Sequence, residues 1–338
     1  MLQFSTLLIV GAGASAEFQF PVGTELLATI KQLCMIEYDS LGRMTGNQQF
    51  ISVLQYYAEN GKVDLIAVLA AVSSLQLRLQ GTRKSIDQLI DTFKEDKIFV
   101  DVAKIAIAFA ISEREHNAFH LTPEVPWSQT PWMKDNWIDV FTSSYLNGFD
   151  RNFLEGIFND LAIISFNYDR CVEYGFARAL AFQLGLADEK TIELASRLKV
   201  IHPYGSLGAL PTSRHQIELQ LKYRQSPEEI CKMAKNIRTF TEGVEHEGVA
   251  KKITEAIDSA TLVIALGFGF QSQNVQLLKA NSSSTRYLAG TVYAMSNSDR
   301  TTGPERLKSS LRATELDQFA MEPAKSFEFL NSHQLAIF

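Results

Sequence analysis

The sequence predicts an α/β fold: a mostly parallel sheet with helices on both faces, interrupted by a large helical insertion. Two observations carry that expectation. The short apolar runs Leu7-Leu8-Ile9-Val10, Leu161-Ala162-Ile163-Ile164 and Leu262-Val263-Ile264-Ala265-Leu266 read as strands buried on both faces, and each stops at glycine or a polar residue. Segments of helical spacing lie between them, the alternation that a parallel sheet requires of its crossovers.

Taken in order, the first strand ends at Gly11. After Pro21-Val22-Gly23, residues 24–35 have helical spacing, with Leu26, Leu27, Ile30 and Leu33 on one side. From about residue 50 to about 120 the chain reads as helix almost throughout, including residues 65–79 and 101–115. A loop with Pro123, Pro126, Pro131, Trp127, Trp132 and Trp137 breaks the pattern, and its tryptophans read as a seam between the insert and the sheet. Helix returns over 137–158, with Gly148 as an interruption. Strand 161–165 is followed by helix 170–183, a short strand 199–202, helices 227–240 and 247–259, and strand 262–266. The last strand candidates are 291–295 and 326–330. This divides the chain into a strand-bearing domain, 1–39 with 156–338, and a helical insertion lobe, 40–155.

Composition narrows the classes. Apolar residues make up 46% of the 338 and charged residues 21%, which suits a globular chain with a sizeable core. The formal charge of -6, with no run of Lys and Arg, gives no attraction for nucleic acid or an anionic membrane. Cys34, Cys171 and Cys231 are scattered and form no CxxC pair, so no zinc knuckle or disulfide framework is expected, and a reducing, cytoplasmic interior is the expected location. The run from Phe4 to Val10 has no basic flank before it and reads as a strand rather than a signal peptide or membrane span. His116 and His120 lack a third ligand and read as helix-end residues, so no metal is expected.

In an open parallel sheet, ligands collect at the carboxyl ends of the strands. Four such ends carry conspicuous residues: Gly11-Ala12-Gly13-Ala14-Ser15, Asn167-Tyr168-Asp169, His202 with Gly205-Ser206, and Gly267-Phe268-Gly269. The first fits G-x-G-x-x-A: Gly11 makes a tight turn, Gly13 admits a pyrophosphate, and the backbone N–H groups that follow receive negative charge. The same glycines also let a strand and helix pack closely. The second strand with an acidic end about twenty residues on, expected of a dehydrogenase, is missing. An Asn amide donates and accepts, while an ionised Asp only accepts, so Asn167 and Asp169 can hold a ribose or carboxamide beside a developing cation. Asp169 can equally cap the helix that follows. His202 can take a proton near neutral pH or polarise a sugar hydroxyl, or serve as a structural histidine at a strand end.

Together the four loops resemble the sirtuin-type NAD-binding domain, and GAGAS with FPVGTELL, SFNYD and HPYGSLG is similar to the divergent SIR2-like branch of bacterial anti-phage defence NADases. The resemblance implies a sirtuin-like, Rossmann-type fold with NAD+ as substrate. Carried over by residue, it places Gly11, Ala12, Gly13 and Ser15 on the dinucleotide phosphates and Asn167 and Asp169 at the nicotinamide ribose and carboxamide. His202 becomes the catalytic histidine, Gly267 and Phe268 the late cofactor loop, and Asn297 a contact near the adenosine ribose. Sirtuin deacylases carry a four-cysteine zinc module after the histidine. This chain has none, and its histidine-glycine dipeptide is replaced by His202-Pro203-Tyr204-Gly205.

The expected activity is therefore cleavage of the nicotinamide–ribose bond of NAD+ to nicotinamide and ADP-ribose, in anti-phage defence by NAD depletion. The catalytic residues expected are Asn167, Asp169 and His202. The alternatives are an NAD-dependent protein deacylase, or a catalytically silent module that senses NAD or ADP-ribose. The resemblance also implies a partner that supplies the trigger, such as a helicase-like ATPase or a short Argonaute-type protein, or a homo-oligomer. Apolar runs 65–79 and 105–111 are expected to leave the insertion lobe some surface for such a subunit.

Overall fold

The computed structural model describes residues 4–81, 85–118, 135–147, 154–210, 225–245 and 247–334. Its strands are β1 (Thr6–Val10), β2 (Glu37–Tyr38), β3 (Met44–Thr45), β4 (Leu161–Ser165), β5 (Lys199–Ile201), β6 (Leu262–Leu266), β7 (Tyr287–Thr291) and β8 (Gln318–Glu322). β2 and β3 form a separate antiparallel hairpin, and the other six make one sheet, ordered β5-β4-β1-β6-β7-β8, in which every pairing is parallel. Sequence order thus runs outward from β1 in both directions. This is a doubly wound, Rossmann-like sheet whose switch point lies between β1 and β6.

The apolar runs follow from burial on both faces. Leu7 and Ile9 of β1 point into one core, Leu8 and Val10 into the other, and all four are fully buried. The helices are α1 (Ala12–Ser15), α2 (Gly23–Leu33), α3 (Gln48–Gly61), α4 (Leu65–Leu79), α5 (Ile86–Thr92), α6 (Lys97–Ala118), α7 (Trp137–Leu146), α8 (Cys171–Leu184) and α9 (Asp188–Ala195). They continue with α10 (Pro227–Asn236), α11 (Phe240–Glu245), α12 (Glu247–Ser259), α13 (Ser272–Leu277), α14 (Asn297–Ser310) and α15 (Ser326–Ser332). Helices α2 to α6, with α10 and α12, cover one face, while α7, α8, α9 and α15 cover the other.

Local chemistry sets the helix starts. Asn47 accepts from the Phe50 N–H and Asp64 from the Ile66 N–H, while capping boxes pair Ser85 with Gln88 and Ser226 with Glu229. α3 to α6 share one core with Leu7, Ile9, Ile164 and Val263, so this stretch is a layer laid on the sheet. α7, which also falls within 40–155, lies on the opposite face against α8.

Every residue from Ile105 to Ile111 is buried, because α6 runs through the middle of its layer between α4, α10 and the sheet. Of the 65–79 run, Val68, Ala71, Val72, Leu75 and Leu79 are buried, leaving Ile66 and Leu77 as its large exposed apolar residues. These runs are covered by the chain itself, and the surplus surface expected from them is reduced to those two side chains.

Some elements differ from the sequence expectation. Residues 326–330, expected as a strand, belong to α15, where the Lys325 N–H donates to the Glu328 carboxylate at the helix start. The last strand is instead β8, an edge strand whose apolar run is only Phe319-Ala320-Met321, flanked by Gln318 and Glu322, with no residue fully buried. β7 ends at Thr291, where the expected strand began. The helix expected over 137–158 stops at Leu146. His120, Trp127, Trp132, the three loop prolines and Gly148 lie outside the described residues. Trp137 is buried in the second core, and its backbone N–H donates to Glu17.

Candidate functional site

At the switch point, β1 and β6 turn away from the sheet in contact. The Gly11 N–H donates to the Leu266 carbonyl and the Gly13 N–H to the Gly267 carbonyl, each at 3.0 Å. A Cβ on Gly11 would lie 2.5 Å from the Gly267 oxygen, and Gly267 itself has φ +56°, where a side chain would also strike the Ala14 nitrogen. Contact between the two loops therefore dictates glycine at both positions. It also uses donors that a phosphate would need. The Ala14 N–H donates to the Gly11 carbonyl, and of the N–H groups from Gly11 to Ala14 that of Ala12 makes no hydrogen bond among the described residues.

The end of β4 is tied to this loop by side chains. The Asn167 Nδ2 donates to the Gly11 carbonyl at 3.0 Å and to Ser15 Oγ at 2.8 Å, and Ser15 Oγ donates to Asp169 Oδ1 at 3.2 Å. Because a carbonyl only accepts, the Gly11 contact fixes which end of the amide is nitrogen. Among the described residues no donor meets the Asn167 Oδ1, on a residue only 6% exposed. Asp169 Oδ1 also accepts from the Cys171 N–H at 3.1 Å, so Asp169 caps α8 and joins the network at once. Burial pushes its carboxyl up to about 7, with the Cys171 N–H opposing and the Glu115 and Glu173 carboxylates adding to the rise.

His202 sits behind this turn. Its Nδ1 is 2.9 Å from the Asn167 carbonyl oxygen and its Nε2 3.0 Å from Glu173 Oε1. Both partners are acceptors, so the arrangement favours a ring that carries both protons. Burial opposes that charge, but the Glu173 carboxylate, the Asn167 carbonyl and the Asp169 carboxyl together outweigh it, and the net shift is upward. The next residue after Asp169 is anchored from the helical layer: Arg170 Nη2 lies 2.6 Å from Glu115 Oε2, and the Arg170 N–H donates to Glu115 Oε1 at 2.8 Å. Both side chains are almost wholly buried.

These loops enclose a cavity of about 280 Å³. Gly11 to Gly13, Pro21 to Gly23, Asn167 to Asp169 and Gly267 to Gly269 line it, with Ser85, Ile86, Asp87 and Ile111 from the helical layer, Tyr204 from beyond β5, and Gln271 and Asn274 from beyond β6. The Tyr168 hydroxyl donates to the Asp87 carboxylate, and the Tyr204 hydroxyl to Asn274 Oδ1 at 2.7 Å. Burial pushes Asp87 up to about 7. Among the described residues no Lys, Arg or His lines the cavity. A larger cavity, of about 530 Å³, lies at the amino ends of the strands beside Thr6, Leu161 and Lys199, away from all of these loops. Ligands of doubly wound sheets bind at the carboxyl ends, which favours the smaller one.

The structure thus brings Gly11, Ala12, Gly13, Asn167, Asp169, Gly267 and Phe268 to one cavity. Ser15 lies beneath it, bonded to Asn167 and Asp169. His202 touches the network from behind and does not line the cavity, and Asn297 is an exposed residue opening α14. Sequence reasoning missed Asp87, Tyr204, Gln271 and Asn274. Asp87 lies inside a readable capping box, Ser85-Ile86-Asp87-Gln88, which announces a helix start but not a site. Among the described residues no group of His, Cys, Asp and Glu could hold a metal ion, and no helix is long and apolar enough to cross a membrane. In comparisons with known proteins, the chain matches no family model and no curated sequence.

Proposed function

We propose that the chain is an NAD+ glycohydrolase, cleaving the nicotinamide–ribose bond to release nicotinamide and ADP-ribose. One observation carries this reading: the carboxyls of Asp169 and Asp87 and the partnerless Oδ1 of Asn167 converge on one switch-point cavity. The nicotinamide ring of NAD+ is cationic, and its departure leaves positive charge on the ribose carbon. Fixed acceptors in the cavity favour that charge. At about 280 Å³ the cavity is at the low end for ligand pockets, roughly 300–1,000 Å³, which suits the nicotinamide riboside end of the molecule. The phosphates then lie toward the exposed Gly13 and the Ala12 N–H.

In this reading the ribose carbon–nitrogen bond breaks with its electron pair passing to nicotinamide. A water oxygen oriented by Asn167 Oδ1 adds to the carbon, and the water's proton passes to the Asp169 carboxylate and on to solvent. His202, held by Glu173, positions the Asn167 main chain; this replaces the contact with a sugar hydroxyl that its residue type and place offered. Depletion of NAD in anti-phage defence, under control of a homo-oligomer or a defence partner, belongs to the same proposal and rests on the resemblance of GAGAS, SFNYD and HPYGSLG.

The test is nicotinamide release from NAD+ by the purified chain, alone and mixed with the product of its neighbouring gene. Release that disappears in Asn167→Ala, with NAD+ still bound, supports the reading, and turnover unchanged by that substitution contradicts it. A second reading, a silent sensor of NAD or ADP-ribose, is favoured by the engagement of both His202 nitrogens within the protein. It predicts stoichiometric binding with no nicotinamide released.

A further inference from the structure

We infer that Asp87, supplied by the helical layer, contacts the cationic ring of a pyridinium nucleotide and lets the site tell that nucleotide from its ring-less product. The inference rests on reading the cavity as a pyridinium nucleotide site, and it adds a residue from outside the four strand-end loops.

Three features of the structure lead there. Asp87 is the second residue of α5, and the reciprocal capping of Ser85 and Gln88 fixes that helix start, so its carboxyl is held at the cavity wall rather than carried on a free loop. The Tyr168 hydroxyl donates to it, and Tyr168 lies between Asn167 and Asp169, which couples the helical layer to the reacting turn. No cation pairs with Asp87 among the described residues. A half-buried carboxylate without a cation is costly, and a cationic ligand relieves that cost.

A separate observation marks the cavity as a place for a ligand. Asn167, over nine-tenths buried, presents an Oδ1 that no group among the described residues satisfies. The two aspartates divide the work by their partners. Asp169 Oδ1 already accepts from Ser15 Oγ and the Cys171 N–H, and Asp169 is 4% exposed at the cavity floor. Asp87 is more open, comes from a different layer and reaches the reacting turn through the Tyr168 hydroxyl, which leaves its carboxylate to face the charged ring of a nicotinamide nucleotide.

The experiment is calorimetric titration of wild type and Asp87→Asn with two probes: a non-cleavable carbocyclic NAD+ analogue, which keeps the charged ring, and ADP-ribose, which lacks it. The substitution keeps the side chain's shape, and a thermal melt of each protein accompanies the titrations. The expected result is a loss of about tenfold for the analogue, the scale of one charge-assisted contact, with ADP-ribose binding unchanged. Asp87→Glu, which keeps the charge, recovers part of the loss. Equal weakening of both probes, or no weakening of either, overturns the assignment of Asp87 while leaving the site reading intact. A wild-type protein that binds neither probe overturns both.

Discussion

Asn167 joins two loops with its nitrogen and leaves its oxygen to the cavity, so one side chain serves structure and chemistry at once. Asn167→Ala deletes the bonds to Gly11 and Ser15 and should lower stability by about 1–3 kcal/mol, measurable by urea denaturation, while abolishing hydrolysis. Asn167→Asp cannot donate to the Gly11 carbonyl, and we expect it to melt lower at pH 8 than at pH 5, when its carboxyl is protonated and can donate. Titration of the native groups points the same way. Asp169 and Asp87 are raised from 3.8 to about 7, and His202 is raised above 6.5. A raised group contributes stability fully below its unfolded value and loses it as pH climbs through the folded one. Thermal stability should therefore fall as pH rises from 3.8 through about 7 on account of the two aspartates, and further above 6.5 on account of His202, with each aspartate responsible for a few kcal/mol at most. Asp169→Asn, whose Oδ1 still accepts from Ser15 and Cys171, should flatten that slope. A stability that rises over the same window would contradict the burial argument.

At the scale of elements, the buried Arg170–Glu115 pair welds the end of α6 to the β4–α8 turn. Glu115→Ala strands a buried guanidinium and should cost about 3–5 kcal/mol, and because Arg170 follows Asp169 directly it should depress turnover as well. Denaturant melts alongside nicotinamide assays check both. Gly11→Ala should separate the β1 and β6 loops, since its Cβ has no room beside the Gly267 carbonyl. Legibility followed burial. β1, β4 and β6 were readable because both of their faces are covered, which leaves uninterrupted apolar runs. β8 was not, because an edge strand keeps polar and exposed residues. α14 was not either: its sequence NSDRTTGPERLKSS is polar, includes Pro304, and buries only Gly303, Pro304 and Leu307. A helix touching the core through so few residues leaves no periodic trace.

At the scale of the whole molecule, the sheet order places the β1, β4 and β6 loops at one switch point, which the spacing of strands and glycines did announce. The Gly-rich turns and Asn-x-Asp were therefore legible as the lining of one cavity. Asp87 was not, because it arrives from 80 residues before Asn167 on a helix whose local signals speak only of capping. The place of His202 was not legible either, since Glu173, its second partner, lies on α8 and is brought to it only by the packing of α8 beside the β5 turn. The reading of the whole comes down to whether this cavity breaks the bond between nicotinamide and ribose. Nicotinamide release by the purified chain, followed with and without its genomic neighbour's product, measures that directly. The account predicts release that requires Asn167 and no acyl-lysine peptide. NAD+ bound and recovered intact under both conditions, or release undiminished in Asn167→Ala, would contradict it.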